Sequence, residues 1–544
     1  MNFFNYDSKI KYRICVALII IFIYISLNSI NSVYIAKVTL NDKKNEKLKN
    51  ILKNNYRKKP SLLKFNTYNI YMNNIEDFKS STHLILLPGK NCPNKRIKTF
   101  FFKPVFPDIP YKYIIFQKKN ISLEVNDKFE SQPTFFATNK KGLEFRDIVL
   151  NKFGFKLYKR MAIHNLYFTP YIIDEKYKKE ISNYIIDKFQ KINRFFNYKE
   201  YTSKSLLYIN YKKFEGKYPL DYNYMLETFS FPKDKFKIEE KFKYYTFKNI
   251  SDSWMVKPAE GCLGKNISIL TNFSAINLSN YVITKYLYNP HLIKGYKYDF
   301  RFHGLISGIK PLKLYLYNEG LVRLASEPYN ISDLSINNNF VFLTNLYTNI
   351  NNKNKFIYPK NLTNLEDSNL WNLETFQRYC ERNNINYAKI SNDVEDIFIK
   401  AILSVREKII KDVDNYKLQY SNFYHLIGFD IILDENLKPY LLEMNRKCAF
   451  RNDNDAEKYF TSNLIADTLN IVGIKSQLLK SSNKYLIKKP LSEENIEENL
   501  CELDRPRGGY KLIFPLKKNI EKYKKFYGDN IPKEDLILWG KIIE

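Results

Sequence analysis

The feature that most restricts the fold is a pair of apolar segments, LIGFDIIL (426–433) and YLLEMN (440–445), on either side of a polar turn at 434–436. This arrangement predicts an antiparallel β-hairpin. Two carboxylates, Asp430 and Glu443, lie inside these apolar segments, and the hairpin would bring them together. A buried carboxylate is costly unless it is paired or bound to a metal. The hairpin therefore predicts either a satisfied structural pair or a metal site.

Asn445 extends this set of oxygen ligands. It lies two residues after Glu443, so the two side chains share one face of the second strand. Carboxylate and amide oxygens are hard ligands of the kind that Mg²⁺ prefers. We therefore predict Asp430, Glu443 and Asn445 as metal ligands.

A second segment, WMVKPAEGCLGKNISI (254–269), has the pattern of two strands joined by a glycine-containing loop. Lys257 ends the first strand, and Gly261 and Gly264 would let the backbone approach an anion closely. Asn266 tolerates a left-handed backbone conformation. The segment predicts a phosphate-binding loop, although a glycine hairpin without any ligand has the same pattern.

A third segment carries Lys297, Asp299 and Arg301 at alternate positions, so one face of a strand would hold all three. They form either a solvated edge or a polar site, and Arg323 in LVRLAS adds a cation nearby in sequence. Cations and glycines for phosphates, with carboxylates for metal, are the equipment of phosphoryl transfer. The chain has no Walker A sequence, no kinase signature set and no credible Ser/His/Asp order.

The charge of the chain narrows the class of partner. Lys and Arg number 87 and Asp and Glu number 57, for a net charge of +30, which favours a polyanionic partner such as nucleic acid, an anionic membrane or an acidic protein tail. We expect no nucleic-acid partner, because no binding module for nucleic acid is recognisable. Six scattered cysteines predict reduced structural thiols.

The N-terminus contains an apolar run, 14–25, with a more polar extension to residue 36. It fits a signal-peptide core, an imperfect membrane anchor or a buried helix. The flank after the run is the more positive one, which favours keeping the rest of the chain in the cytosol. We expect membrane association through residues 14–36 with the rest of the chain in the cytosol. The alternative is import into an organelle after a cleaved signal.

The remaining pattern predicts an α+β fold with mixed sheets packed on helices. Strand-like runs dominate 247–326, beginning with YTFKN, and residues 395–411 have helical spacing. The last 70 residues are rich in Lys and Glu and include one strand-like piece, RGGYKLIFP. We divide the chain into a signal or anchor segment (1–37), a basic linker and N-terminal extension (38–133), a catalytic domain (134–475) and a basic C-terminal tail segment (476–544).

At these residues the chain resembles the tubulin–tyrosine ligase family, which has an ATP-grasp-like fold. The similar segments follow the order of the family at 192–207, 254–269, 282–306, 316–330, 342–345 and 426–445. Three positions depart from the family pattern. Thr284 replaces a glutamine before the adenine hinge, Asn266 replaces a loop glycine, and Arg446-Lys447-Cys448 replaces a small residue and proline.

The resemblance implies a role for each matching residue. The residues that would contact ATP are Lys204, Lys257, Gly261, Gly264, Lys285, Tyr286, Leu287, Asp299, Thr344 and Asn345. Those that would stabilise the reacting groups are Arg301, Arg323 and Lys297, with Lys297 also contacting phosphate. Two magnesium ions would be held by Asp430, Glu443 and Asn445. Because none of the phosphate and metal positions is lost, we expect an active enzyme.

The resemblance also implies the reaction, which is ATP- and Mg²⁺-dependent ligation of a free amino acid to carboxylates of tubulin C-terminal tails through an acyl phosphate. The segment EPYN after Arg323 resembles the tyrosine-adding member, whereas 504–528 resembles the larger glutamate-adding members. We favour glutamate narrowly. The resemblance also implies that the membrane-anchored catalytic domain lies at cytosolic microtubules. The alternatives are tubulin–tyrosine ligase proper and a non-catalytic, membrane-tethered microtubule-binding protein.

Overall fold

The computed structural model describes most of the chain from residue 164 onward and four strands before it. The described residues are 82–86, 98–102, 134–137, 150, 155–158, 164–169, 173–185, 190–248, 253–261, 264, 266–270, 280–330, 338–359, 365–448, 455–474, 499–500, 502–503, 505 and 507–543. All of them belong to one compact unit, made of 80–109 and 123–544.

The strands form four sheets. A two-stranded sheet contains β1 (Thr82–Leu86) and β2 (Lys98–Phe102). A parallel sheet contains β3 (Thr134–Ala137), β4 (Lys156–Tyr158), β5 (Leu166–Phe168) and β6 (Lys191–Ile192). A small antiparallel sheet contains β7 (Thr228–Phe231), β8 (Trp254–Pro258), β9 (Ser268–Leu270) and β10 (Tyr281–Lys285). The central antiparallel sheet contains β11 (Leu292–Ile293), β12 (Tyr296–Ile309), β13 (Leu312–Tyr317), β14 (Leu321–Leu324), β15 (Leu370–Asn372), β16 (His425–Leu433), β17 (Pro439–Asn445) and β18 (Tyr510–Phe514).

The helices of the described residues pack on these sheets. They are α1 (Glu175–Tyr184), α2 (Lys199–Thr202), α3 (Lys204–Lys217), α4 (Lys235–Phe247), α5 (Asn339–Phe342), α6 (Leu346–Asn349), α7 (Leu373–Arg382), α8 (Tyr387–Leu403), α9 (Arg406–Asn415), α10 (Asp455–Val472), α11 (Ile520–Lys524) and α12 (Lys533–Ile543). None of the helices in this part of the chain is long and apolar enough to cross a membrane, and residues 14–36 lie outside it.

The long strand β12 organises the central sheet, because it pairs with β11, β13, β14 and β16. Its side chains alternate between two environments. Phe300 and Phe302 enter the main core, where Phe302 stacks on Phe429 with ring centroids 5.6 Å apart. Lys297, Asp299 and Arg301 point the other way, and this alternation brings the polar residues of the chain onto one face of the sheet.

The small sheet has a second, separate core. Trp254, Val256 and Ile283 pack against α4 on one side. Because adjacent strand residues face opposite ways, Met255 and Thr284 point to the other side. The two are register partners across β8 and β10, and both face the cleft described below.

Most of the predicted elements are confirmed. The α+β class, the hairpin at 426–445 and the strand at RGGYKLIFP all occur. The helical stretch at 395–411 is two helices, α8 and α9, which separate at residues 404–405. The predicted strand YTFKN is wrong, because residues 245–247 form the C-terminal end of α4.

The segment expected as a basic tail contributes to the central sheet. Strand β18 pairs with β13, and Ile513, Phe514 and Trp539 belong to the main core. Residues 510–543 are therefore part of the same packed body as the hairpin.

Candidate active site

An open cleft lies between the small sheet and the central sheet. Fourteen of the sixteen residues predicted from the sequence line it: Lys204, Lys257, Gly261, Gly264, Lys285, Tyr286, Leu287, Lys297, Asp299, Arg323, Thr344, Asn345, Asp430 and Glu443. The other two, Arg301 and Asn445, do not line the cleft but bind the lining residues Asp430 and Glu443.

A row of charged side chains crosses the central sheet beneath the cleft. Arg323 donates to the two carboxylate oxygens of Asp299 at 2.7 and 2.6 Å, and its Nη2 also lies 2.9 Å from Oδ2 of Asp430. Arg301 donates to both oxygens of Asp430, from Nε and from Nη2, the latter at 3.0 Å. The pairs form because Asp299 faces Arg323, and Arg301 faces Asp430, in the registers of neighbouring strands.

These pairings distinguish the two aspartates electrostatically. Burial alone would raise the pKa of each carboxyl group. At Asp430 the guanidinium groups of Arg301 and Arg323 overcome that effect and hold the pKa below its ordinary value. At Asp299 burial prevails over Arg323, and the nearby charge of Asp430 acts in the same direction, so its pKa is raised. Asp430 is therefore the firmly ionised member, as a cation ligand must be.

Glu443 stands directly opposite Asp430 in the hairpin register. Its Oε2 lies 2.9 Å from Nζ of Lys204, and its Oε1 accepts a hydrogen bond of 3.0 Å from the amide nitrogen of Asn445. Burial opposes ionisation, but Lys204 holds the pKa of Glu443 below its ordinary value. Lys204 reaches this position because it is the first residue of α3, and its Nζ also donates to the carbonyl of Gly261 at 3.3 Å.

Two further lysines enter the cleft from opposite sheets, Lys257 from β8 and Lys297 from β12. Burial lowers the pKa of both ammonium groups. That of Lys297 falls to about 7, with the charge of Lys257 acting in the same direction. Nζ of Lys297 donates to the Tyr286 hydroxyl at 2.8 Å and lies 4.3 Å from the centroid of that ring. Two ammonium groups that repel each other in this way are stabilised in their charged forms by an anion bound between them, such as a polyphosphate.

The loop after β8 closes the other side of the cleft. Gly264 has φ +70°, and a Cβ there would lie only 2.4 Å from the amide nitrogen of Asn345. Asn266 has φ +56°, which confirms the left-handed conformation expected from the sequence. Both polar side-chain atoms of Asn345 are buried, and neither has a hydrogen-bond partner among the described residues. Such orphaned atoms beside a cleft indicate a polar ligand.

The apolar walls of the cleft were not predicted from the sequence. They are formed by Leu226, Met255, Ile267, Phe342, Ile432 and Leu442. Two of them could have been found by strand alternation, because Met255 and Ile432 stand two residues from the charged Lys257 and Asp430. Flat walls of this kind suit an aromatic base.

A pair of hydroxyl groups, those of Thr228 and Thr284, lies beside Lys285, which the resemblance predicts as part of an adenine hinge. Oγ1 of Thr228 is 2.9 Å from the carbonyl oxygen of Leu226 and 3.1 Å from Oγ1 of Thr284. A hydroxyl carries one proton. If Thr228 donates to Leu226, Thr284 must donate to Thr228, and Thr284 then offers only acceptor lone pairs to the cleft.

Two other supporting residues were also missed. A Cβ at Gly428 would lie 2.9 Å from Cδ of Arg301, so only glycine leaves room for that side chain. His425 is fully buried. Its Nδ1 accepts a hydrogen bond of 2.5 Å from the Tyr201 hydroxyl, and its Nε2 donates one of 3.1 Å to the Arg446 carbonyl oxygen. No sequence pattern indicated this link, because Tyr201 and His425 are 224 positions apart.

The residues fit magnesium held together with a phosphate-bearing ligand. In the part of the chain that the structure describes, no group of three or more His, Cys, Asp and Glu side chains is placed to hold a metal ion. Mg²⁺, however, usually takes one or two carboxylates and completes its shell with water and substrate phosphates. The adjacent carboxylates of Asp430 and Glu443, with the amide oxygen of Asn445, supply that number of oxygen donors.

Comparison with known proteins gives a consistent result. A model of the Tubulin-tyrosine ligase family matches residues 182–481, which is more than half of the chain. Tubulin polyglutamylase TTLL6 of Homo sapiens is 29% identical over 394 residues, covering 67% of this chain and 42% of that protein. A probable beta-tubulin polyglutamylase of Tetrahymena thermophila is 31% identical over 295 residues, covering 48% of this chain and 24% of that protein.

Tubulin polyglutamylase TTLL5 of Mus musculus is 29% identical over 299 residues, covering 54% of this chain and 22% of that protein. The chain thus spans less than half the length of each of these relatives. The matched region of the family model contains every residue that lines the cleft. The chain belongs to the tubulin–tyrosine ligase family.

Proposed function

We propose that this protein is an ATP- and Mg²⁺-dependent ligase that adds glutamate to carboxylates of tubulin C-terminal tails. The observation that carries the proposal is the cleft itself. Three lysines, Lys204, Lys257 and Lys297, converge there from two sheets and a helix onto an ionised pair, Asp430 and Glu443. This is a site for a metal–polyphosphate complex.

The nucleotide would bind between the two sheets in an ATP-grasp-like manner. The apolar walls hold the base, and the hinge residues Lys285, Tyr286 and Leu287 lie along its edge. The acceptor lone pairs of Thr284 match the exocyclic amine of adenine. The three lysines then hold the phosphates, and the loop with Gly261 and Gly264 covers them.

Magnesium would be held by Asp430, Glu443 and Asn445, and we expect two ions. When bound, they neutralise phosphate charge and orient the γ-phosphoryl group for in-line transfer. Lys204, now paired with Glu443, and Arg301 and Arg323, now paired with Asp430, would share their charge with the bound reactants.

The chemistry needs no enzyme nucleophile. An oxygen of the acceptor carboxylate attacks the γ-phosphorus, the bond to the β,γ-bridging oxygen breaks, and ADP leaves. The amine of the incoming amino acid then attacks the carbonyl carbon of the acyl phosphate. Phosphate leaves with the acceptor oxygen, and the nitrogen loses a proton to form the amide. Catalysis therefore consists of positioning and of charge stabilisation by Lys297, Arg301 and Arg323.

Two observations support the acceptor and the amino acid. The relatives reported above are named as tubulin polyglutamylases. The net charge of +30 would steer an acidic tail toward the cleft over a screening length of about 8 Å at physiological salt.

The proposal is tested by incubating tubulin with ATP, Mg²⁺ and labelled glutamate, tyrosine or glycine in turn, at low and moderate salt. We expect glutamate incorporation, with a KM for tubulin that rises with salt and an amino-acid preference that does not change. Incorporation of tyrosine alone would show that tyrosine, and not glutamate, is the amino acid added, and it would leave the proposed reaction unchanged. ATP hydrolysis without labelled tubulin would overturn the acceptor.

A further inference from the structure

Helix α4 has one face that the proposed function does not use. Its inner face is buried against the small sheet through Ile238, Phe242 and Tyr245, which contact Trp254 and its neighbours. Its outer face points away from that core and carries large apolar side chains in solvent. Phe236 is 78% exposed, Phe247 is 83% exposed and Tyr244 is 53% exposed.

The two phenylalanines form a ridge along the helix. They are eleven residues apart, which is three turns, so they lie within about 20° of each other around the axis and about 16 Å apart along it. Single exposed apolar residues are ordinary on a protein surface. Two highly exposed phenyl groups on the outermost line of one helix, with a tyrosine beside them, are more than that. Glu240 and Lys243 lie on the same line between them, within about 40° of Phe236 around the axis, so the ridge has aromatic groups at both ends and one charge of each sign between them.

Lysines flank this ridge on both sides. Exposed lysines of the segment are Lys233, Lys235, Lys237, Lys243 and Lys248. Lys235 and Lys237 have loose carboxylate neighbours at 3.9 and 3.3 Å, whereas Lys243 and Lys248 have none among the described residues. Glu240 is the one exposed acidic residue of α4. The face therefore combines exposed aromatic groups at both ends of the ridge with an excess of exposed lysines over acidic residues.

We propose that the outer face of α4 docks on an anionic lipid surface. Phenyl groups on the crest would enter the boundary between headgroups and acyl chains, and lysines at the edges would contact the headgroup charges. A convex ridge can insert into a lipid surface, because lipids deform around it. An acidic peptide would need a groove on the protein in order to bury the phenyl groups. The chain's own basic segment 37–59 is excluded as the occupant by its charge.

This docking leaves the cleft open. The side chains that fix α4 to the small sheet and those that face the cleft lie on opposite sides of the same strands, since Trp254 faces α4 and Met255 faces the cleft. A lipid surface on α4 and substrates in the cleft would thus be separated by the thickness of the sheet. The inference does not depend on which amino acid is ligated.

The test uses tryptophan as a local reporter in the full chain. The three native tryptophans, Trp254, Trp371 and Trp539, are buried, so Phe236→Trp adds one exposed reporter on the ridge. Leu220, which is 90% exposed outside α4, gives the matched control Leu220→Trp. Emission is compared with neutral phosphatidylcholine vesicles, with vesicles containing 30% phosphatidylserine, and with the same anionic vesicles carrying brominated acyl chains.

We expect Phe236→Trp emission to shift to the blue on anionic vesicles and to fall at least twofold when the lipid is brominated. Neutral vesicles and salt near 0.5 M should abolish the effect, because the lysine contacts are screened. No quenching of Phe236→Trp would overturn the proposal. Equal quenching of Leu220→Trp would overturn it in favour of adsorption through another segment, such as residues 14–36. A blue shift with tubulin and none with vesicles would overturn it in favour of an acidic protein partner.

Discussion

At the scale of single residues, the sequence identified the charged groups because strand alternation places Lys297, Asp299 and Arg301 on one face. It could not give their pairing. Arg323 binds Asp299 and reaches Asp430 as well, which depends on the register of three strands that are distant in sequence. The apolar walls and the Thr228–Thr284 hydroxyl pair were missed for the same reason.

The predicted metal ligands can be tested most cleanly at Glu443. Its side chain is 26% exposed and the side chain of Asp430 is 6% exposed. Asp430→Asn would leave Arg301 and Arg323 buried with a weakened partner, at a cost of up to about 3–5 kcal/mol. We expect Glu443→Gln to keep the melting temperature within a few degrees and to lower kcat on the order of 10²-fold. Normal activity of Glu443→Gln across a magnesium titration would contradict the assignment.

Thr284 offers a gain-of-binding test. Its hydroxyl is short and is already engaged with Thr228, so a glutamine at this position should reach the base better. Thr284→Gln should lower the KM for ATP with little change in kcat, as expected for an interaction made equally in the ground and transition states. Thr284→Val, which removes the acceptor, is the matched control and should raise the KM. An unchanged or higher KM for ATP in Thr284→Gln would mean that other residues hold the adenine base.

Lys297 predicts a pH dependence. Burial brings its pKa to about 7, so above pH 7 the amine is mostly neutral and must regain a proton to pair with phosphate. ATP binding at pH 8 should therefore take up about one proton, and the KM for ATP should rise between pH 7 and 9 by up to about tenfold per pH unit. Calorimetry in buffers of different ionisation enthalpy measures the uptake. Lys297→Met should abolish it, and zero uptake by the unaltered protein would contradict the account.

At the scale of elements, the spacing of apolar residues predicted most helices and strands correctly. In one segment the strand propensity of the residues led to a wrong prediction. The run YTFKN is rich in residues that favour strands, but Tyr245 continues the buried spacing of Ile238 and Phe242, so packing on the small sheet makes it helical. Links between distant elements could not be predicted. The Tyr201–His425–Arg446 link joins α2 to the residue that follows Asn445. Its first member, Tyr201, lies three residues before Lys204 in the chain.

This link makes His425 a positioning residue for the metal ligands. His425→Phe would leave the Tyr201 hydroxyl and the Arg446 carbonyl without this partner, at a cost of about 1–3 kcal/mol. We expect the magnesium concentration for half-maximal activity to rise about tenfold or more, with a smaller change in the KM for ATP. Tyr201→Phe, which removes one of the two bonds, should have an intermediate effect. A purely structural role would lower stability and leave the magnesium dependence unchanged.

At the scale of the whole molecule, composition predicted a basic surface but not how the C-terminal segment is used. We predicted residues 476–544 as a basic C-terminal tail segment, and within 510–543 the apolar residues between the lysines enter the main core. Lys511 and Lys522 pair with Glu395 and Asp396 of α8. These pairs are already counted in the net charge of +30, so the excess positive charge left for acidic partners is carried by other lysines and arginines.

The central claim is that the cleft transfers phosphate to an acceptor carboxylate, and oxygen labelling tests it most directly. A glutamate-rich tubulin-tail peptide with ¹⁸O in its side-chain carboxylates is incubated with ATP, Mg²⁺ and glutamate. The released phosphate is analysed by mass spectrometry, with the slow variant Glu443→Gln as the control. An acyl phosphate requires that each amide formed sends one ¹⁸O into phosphate, and we predict one labelled oxygen per ligation. Ligated peptide with unlabelled phosphate would contradict the account.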